Sequence, residues 1–128
     1  MKDNTFILIL DDDPDICMMI KMVLEYHGFN AIDVDCEEKA NKVLDTQHVD
    51  LIIMDMLLSG VDGTDVCRRI KSDPKRNTIP ILMFSAHPTA KESCLAAGAD
   101  DFISKPFEMN DLIARINFFI ERNAVKQE

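Results

Sequence analysis

Residues 6–14 read Phe6-Ile7-Leu8-Ile9-Leu10-Asp11-Asp12-Asp13-Pro14. Five consecutive apolar residues without polar alternation describe a strand buried on both faces, as in a parallel sheet covered by helices. Three aspartates stop it. Pro14 suits the first turn of a helix, where its missing N–H is no loss, and Asp13 is placed to cap that helix rather than to bind metal. Ile16, Met19, Ile20, Val23 and Leu24 follow at helical spacing, and Gly28 ends the segment.

The same strand-then-helix unit recurs along the chain. Asn30 to Val34 forms a second, more polar strand, and Glu37 to Asp45 a helix with Ala40, Val43 and Leu44 inward. Leu51-Ile52-Ile53-Met54 is a third strand that ends at Asp55. A loop with Gly60 and Gly63 leads to a helix from Thr64 to Lys71, carrying Val66, Cys67 and Ile70 on one face. Arg68, Arg69 and Lys71 read as a solvated helix end that complements the dipole. After a polar connection between Pro74 and Pro80, Ile81-Leu82-Met83-Phe84 is a fourth strand ending at Ser85. Thr89 and Glu92 have the spacing of a capping box for a short helix that Gly98 terminates. Asp101 to Ser104 is the fifth strand, Lys105-Pro106 follows, and Asn110 is placed to cap a last helix with Leu112, Ile113, Ile116, Phe119 and Ile120 on its apolar face. Such alternation predicts one α/β domain over residues 1–128, with its core at 5–122: a five-stranded parallel sheet with helices on both faces, joined by right-handed crossovers.

The composition agrees. Of 128 residues 47% are hydrophobic, enough for one core, and 23 acidic side chains against 14 basic ones leave a net charge of −9. Nucleic acid and anionic lipid are held chiefly by Lys and Arg, so neither is expected as a direct partner. Cys17, Cys36, Cys67 and Cys94 have no CxxC pair and no zinc spacing, which fits free thiols in a reducing cytoplasm. An N-terminal apolar run of five residues is too short for a signal peptide or a membrane span. The glycines fall at helix ends or in the loop after Asp55, so none remains to build a nucleotide cradle. His27, His48 and His87 are scattered and read as solvated or locally bonded, while Met18 and Met22 fall on the outer face of the first helix, where a partner can reach them.

Ligands of such sheets bind at the carboxyl ends of the strands. The polar residues there are Asp11 and Asp12 after strand one, Asp55 after strand three, Ser85 after strand four and Lys105 after strand five. If strands one and three are neighbours, three carboxylates converge and need relief by a proton or a cation. Mg²⁺ fits, since it takes oxygen ligands and keeps positions for phosphate. An ammonium at Lys105 and a hydroxyl at Ser85 complete a set suited to phosphoryl transfer, with Asp55 as nucleophile and an acyl phosphate as product.

Taken together, ILILDDDPDI, LIIMDMLLSGVDG, PILMFSA and GADDFISKPF resemble, in this order and at strand ends, the receiver domains of two-component response regulators. The resemblance spans residues 5–122 and implies the flavodoxin-like strand order 2-1-3-4-5. It implies that Asp12 ligates Mg²⁺ directly, with Asp11 acting partly through water, and that Asp55 is both phosphoacceptor and ligand. The backbone carbonyl of Leu57 completes the protein's share of the metal's coordination. Ser85 and the backbone amide of Ala86 would hold the phosphoryl group, with Lys105 paired to it. Phe102 would be the aromatic switch residue, working by packing because it has no phenolic hydroxyl. The Lys105-Pro106 bond is usually cis in the family.

Several positions depart from the family pattern. Ser59 stands where proline is common, and the interval from Ser85 to Lys105 is short, which implies a trimmed fourth helix or preceding loop. Leu57 and His87 occupy positions that tune phosphoryl lifetime, and an apolar Leu57 cannot orient an attacking water, so slow hydrolysis is expected. The implied partners are a sensor histidine kinase or phosphotransfer protein as donor and a protein effector as output, with phosphorylation-dependent homodimerisation as a further option. The protein would then be no enzyme beyond catalysing its own phosphorylation and dephosphorylation, and no output domain is expected. Two alternatives stand beside this reading. One is a receiver-fold binding module that works without phosphorylation. The other is a small phosphatase with an aspartyl nucleophile, since Asp11-Asp12-Asp13 contains a D-x-D spacing.

Overall fold

A computed structural model describes residues 4–58, 60–87 and 89–127. Ser59 lies outside them. In chain order the elements are β1 (Phe6–Leu10), α1 (Pro14–Tyr26), β2 (Asn30–Val34), α2 (Glu37–Thr46), β3 (Leu51–Asp55), β4 (Leu57–Leu58), β5 (Val61–Asp62), α3 (Gly63–Lys71), β6 (Ile81–Ser85), α4 (Ala90–Ala96), β7 (Asp101–Ser104) and α5 (Met109–Gln127).

Five strands form one parallel sheet in the order β2-β1-β3-β6-β7. The two-residue strands β4 and β5 stand outside it as a small antiparallel ladder in the loop after Asp55. Without them the order is the expected 2-1-3-4-5. The apolar runs of β1, β3 and β6 are continuous because these inner strands have two buried faces, whereas the edge strand β2 is partly exposed along its length. Ile7, Ile9, Ile53, Leu82 and Phe84 pack with Cys17, Ile20, Leu24, Leu112, Ile116 and Phe119 of α1 and α5. Leu8, Leu10, Ile52, Met54 and Met83 pack with Ala40, Val43, Val66, Cys67, Ile70 and Cys94 of α2, α3 and α4. Both layers exclude water, at about 25 cal/mol for each Å² of apolar surface removed. Among the described residues no helix is long and apolar enough to cross a membrane.

Several local expectations need correction. Met19 is exposed, because the inward stripe of α1 centres on Cys17, Ile20 and Leu24 and places residue 19 more than a third of a turn away. Thr89 stands before α4 yet makes no side-chain capping bond, so the box with Glu92 does not form. Asn110 lies inside the first turn of α5, which begins at Met109. Lys71 is no solvated helix-end lysine: its Nζ donates to the Ile79 carbonyl and to Asp100 Oδ2, each at 2.7 Å. Arg69 makes a two-pronged bond to Glu37 that ties α3 to α2. The cap at Asp13 forms as read, accepting from Asp15 N at 2.9 Å and Ile16 N at 3.4 Å. All four cysteines are free, and Cys17, Cys67 and Cys94 are buried. Burial pushes the Cys17 thiol up to about 12 and those of Cys67 and Cys94 up to about 11, which keeps them protonated and unreactive.

Gly63 is the first residue of α3 rather than a loop residue. Asp62 caps that helix through Thr64 N and Thr64 Oγ1. A Cβ at Gly63 would collide with the backbone carbonyls of Asp55 and Met56, so the helix start presses directly on the end of β3. Gly60 has open space around it but a φ of +82°. Gly63→Ala is therefore expected to cost about 1–3 kcal/mol as overpacking, and Gly60→Ala about 1–2 kcal/mol from left-handed backbone strain alone. Urea unfolding measures both, and only Gly63→Ala should also shift the amide resonances of residues 55 and 56.

Candidate functional site

Sheet register builds the site. Leu10 pairs with Met54, Asp55 with Phe84, and Ser85 with Ser104. The residues just past these rungs, Asp11 and Lys105, therefore reach the same edge as Asp55 and Ser85. One carboxylate oxygen from each of Asp11, Asp12 and Asp55 lies within 4.8 Å of the other two. Lys105 Nζ donates to Asp55 Oδ2 at 3.1 Å and sits 4.7 Å from the centroid of the Phe84 ring. Asp55 Oδ1 accepts the Leu57 N–H at 3.3 Å. The Lys105-Pro106 bond is cis, as the family pattern implies.

Asp11 and Asp12 differ in surroundings. Asp12 is exposed, whereas Asp11 is 1% exposed. Asp11 Oδ1 accepts the Asp13 N–H at 2.9 Å, while its Oδ2 is buried without a hydrogen-bond partner. Burial pushes the Asp11 carboxyl up to about 6; the Asp13 N–H opposes this, Asp55 and Asp12 add to it, and Lys105 opposes it. A buried carboxylate oxygen with no donor, beside two further carboxylates, fits a hard divalent cation with oxygen ligands. Thiol and imidazole are absent from that acidic set, which disfavours softer metals.

A cleft of about 690 Å³ opens over these groups, lined among others by Asp12, Asp55, Leu57, Ser85, Ala86 and Lys105. Every expected site residue except Asp11 and Phe102 lines it. Asp11 lies beneath the acidic edge. Phe102 is 6% exposed and packed in the core layer of α2, α3 and α4, so its ring faces inward. Ser85 Oγ accepts the His87 N–H at 3.0 Å. Leu57 is 69% exposed, and its side chain offers no polar atom to the cleft. Asp13, Ile16, Gly60 and His87 line it as well, and of these only His87 is tied to phosphoryl chemistry by the family resemblance. Ile16 is only one turn beyond Asp12 on a helix whose start was legible, and that spacing was the available signal.

A family model described as response regulator receiver domain matches residues 7–117, and the chain belongs to that family. It is 36% identical over 118 residues to the phosphate regulon transcriptional regulatory protein PhoB of Pseudomonas aeruginosa, covering 91% of this chain and 52% of that protein. The chain thus spans about half the length of the curated relatives it matches. Among solved structures, a two-component response regulator from Clostridium difficile aligns at a TM-score of 0.85 and 29% identity, over 93% of this chain and 98% of that one. The receiver domain of a sensor histidine kinase from Pseudomonas aeruginosa aligns at a TM-score of 0.83 and 28% identity, over 91% and 98% of the two chains. That structure has magnesium coordinated in its active-site cleft.

Because the Asp11 carboxyl rises from its ordinary 3.8 to about 6, the folded, metal-free chain binds more protons than the unfolded chain between those values. This group's contribution to stability is then fully present below pH 4 and is lost as pH rises to 6. Asp11→Asn should lack that loss, so the parent minus variant difference in urea unfolding, with chelator present, falls across the interval. Mg²⁺ competes with the same proton, and its affinity measured by calorimetry should climb as pH rises to 6 and then level.

Proposed function

We propose that this chain is a phosphoacceptor: it takes a phosphoryl group from a phosphohistidine onto Asp55, with Mg²⁺, and signals to a protein partner by a change of conformation. The observation that carries this reading is the Lys105–Asp55 pair at 3.1 Å beside the unpartnered, buried Asp11 oxygen. Three carboxylates against one ammonium leave two negative charges, which one divalent cation cancels. An attacking carboxylate oxygen of Asp55 forms the new O–P bond while the N–P bond of the donor imidazole breaks, and the imidazole leaves after taking a proton.

Asp11, Asp12 and Asp55, with the Leu57 carbonyl, would hold Mg²⁺, which would supply charge neutralisation at the phosphoryl oxygens. Lys105 is close enough to transfer its ammonium from Asp55 to those oxygens, and the planar amide of Ala86 offers a donor. Ser85 has one O–H, which it can give to the phosphoryl group. Phe102 shares a core layer with Met83 and Ala90, so a shift of Ser85 at the end of β6 is read by packing rather than by a phenolic bond. The chain is proposed to catalyse only its own phosphorylation and dephosphorylation. Acetyl phosphate with Mg²⁺ should add one phosphoryl group by intact mass, lost in Asp55→Asn and in chelator, and reduced at least about tenfold in rate by Lys105→Ala. With Leu57 apolar, the adduct should persist for minutes or longer. No adduct would favour the phosphorylation-independent binding module, and turnover of an added phosphate ester would favour the phosphatase.

The donor is proposed to be a sensor histidine kinase or a phosphotransfer protein, and the receiver of the signal a protein effector or a second copy of this chain. Met18, Met19 and Met22 are 57%, 47% and 64% exposed on α1, whose Ile16 lines the cleft. A phosphohistidine that reaches Asp55 brings its own protein over this face, and flexible methionine suits such a contact. Met22→Asp should slow transfer from a phosphorylated protein donor by about tenfold, the equivalent of 1.4 kcal/mol, while loading from acetyl phosphate stays unchanged. Stopped-time intact mass with the two donors separates these effects.

A further inference from the structure

Lys105 reaches Asp55 over a phenyl ring. Its Nζ donates to Asp55 Oδ2 at 3.1 Å and stands 4.7 Å from the centroid of the Phe84 ring, inside the roughly 6 Å over which a cation is drawn to the negative face of an aromatic ring. Phe84 is fully buried, and it is the sheet partner of Asp55 itself. Its carbonyl accepts the Met56 N–H at 3.0 Å, and the next carbonyl, that of Ser85, accepts the Lys105 N–H at 2.9 Å. Phe84 thus belongs to the strand between Asp55 and Lys105, and the ladder fixes it from both sides. Phe107 packs edge-on against the same ring, with centroids 5.8 Å apart and planes at 70°. Aromatic pairs prefer that arrangement, and it keeps the Phe84 ring from turning.

A lysine carries its charge on a flexible four-carbon stem, and the Lys105 side chain is 23% exposed, so water competes for the ammonium. The ring face opposes that without taking up the ammonium's hydrogens. A carbonyl or carboxylate in its place would hold one N–H in a fixed direction, whereas attraction to a ring face hardly depends on rotation of the ammonium about its own bond. The N–H donors can then pass from Asp55 Oδ2 to the oxygens of an incoming phosphoryl group while the charge stays over the ring. An aliphatic side chain at residue 84 would fill the same space and supply no such field.

We propose that Phe84 is a positioning residue for phosphoryl transfer: the face of its ring keeps the Lys105 ammonium at Asp55 and lets it follow the charge onto the phosphoryl group. This rests on Asp55 being the phosphoacceptor. The experiment replaces Phe84 by singly, doubly and triply fluorinated phenylalanine, which nearly keep the shape of the ring while draining negative charge from its face. Loading by acetyl phosphate and Mg²⁺, followed by intact mass, should slow step by step along the series to about fivefold with the triply fluorinated ring, and Phe84→Leu should slow it as much. In Lys105→Ala the same series should leave the remaining rate flat, although the contact with Phe107 is altered equally. In the metal-free chain the Lys105 Hε resonances should lie upfield through the ring current of Phe84, and return to their ordinary position in Phe84→Leu. A merely packing role for the ring would give one rate across the fluorinated series, with any loss confined to Phe84→Leu. That result, an equal decline in Lys105→Ala, or Lys105 resonances without the upfield displacement overturns the proposal and leaves the phosphoacceptor reading untouched. A parent chain that takes no phosphoryl group overturns both.

Discussion

The mutual repulsion of Asp11, Asp12 and Asp55 is the constraint around which the active edge is arranged. Carboxylate oxygens within 4.8 Å of one another raise the free energy of the folded state unless a positive charge stands among them. Lys105 supplies one, from the far side of the sheet's centre, and can do so only because β6 and β7 bring residue 105 to the level of Asp55. It cannot serve all three. Asp11, the most buried, keeps an oxygen without a donor and a carboxyl that holds its proton up to about pH 6. An arrangement that is costly when bare and relieved by a divalent cation couples folding stability to metal binding.

The rest of the fold serves that edge by keeping it rigid from below. Both faces of the central strands are buried, so β1, β3 and β6 cannot slip by one residue without turning a core layer outward. α3 starts hard against the end of β3, with Gly63 permitting the contact, and the Lys71 ammonium ties the far end of α3 to the Ile79 carbonyl and to Asp100. Opposite the rigid strands lie the short ladder of β4 and β5 and the seven-residue α4, elements with few buried side chains of their own. The strands are thus held by two buried layers, while the short elements at this edge bury little of their own and are the less stable part of the fold.

Most of this was legible in the residues because burial on two faces writes an unbroken apolar run, and each run here stops at a polar residue. Phe6–Leu10, Leu51–Met54 and Ile81–Phe84 located the strands, and Asp11, Asp55 and Ser85 marked their ends. Local rules failed where a tertiary neighbour outcompeted them. Met19 had core spacing on an isolated helix, but the position of the sheet turned it to solvent. Thr89 and Glu92 had the letters of a capping box, but the His87 ring reached the Thr89 N–H first. Lys71 looked like any helix-end lysine until a loop and a neighbouring strand brought carbonyl and carboxylate partners to it.

The sequence by itself determined which side chains would stand at one edge of a parallel sheet and that the set was three acids, a hydroxyl and an ammonium, because strand periodicity and charge are properties of the linear order. Only the tertiary structure decided how unequal those acids are. Asp11 and Asp12 are adjacent letters of one acidic run, yet one is sealed beneath the sheet's edge with an oxygen lacking a donor and the other faces the cleft. That difference comes from the surrounding elements that exclude water from Asp11, and desolvation depends on the whole packed neighbourhood rather than on the residue or its nearest neighbours in the chain.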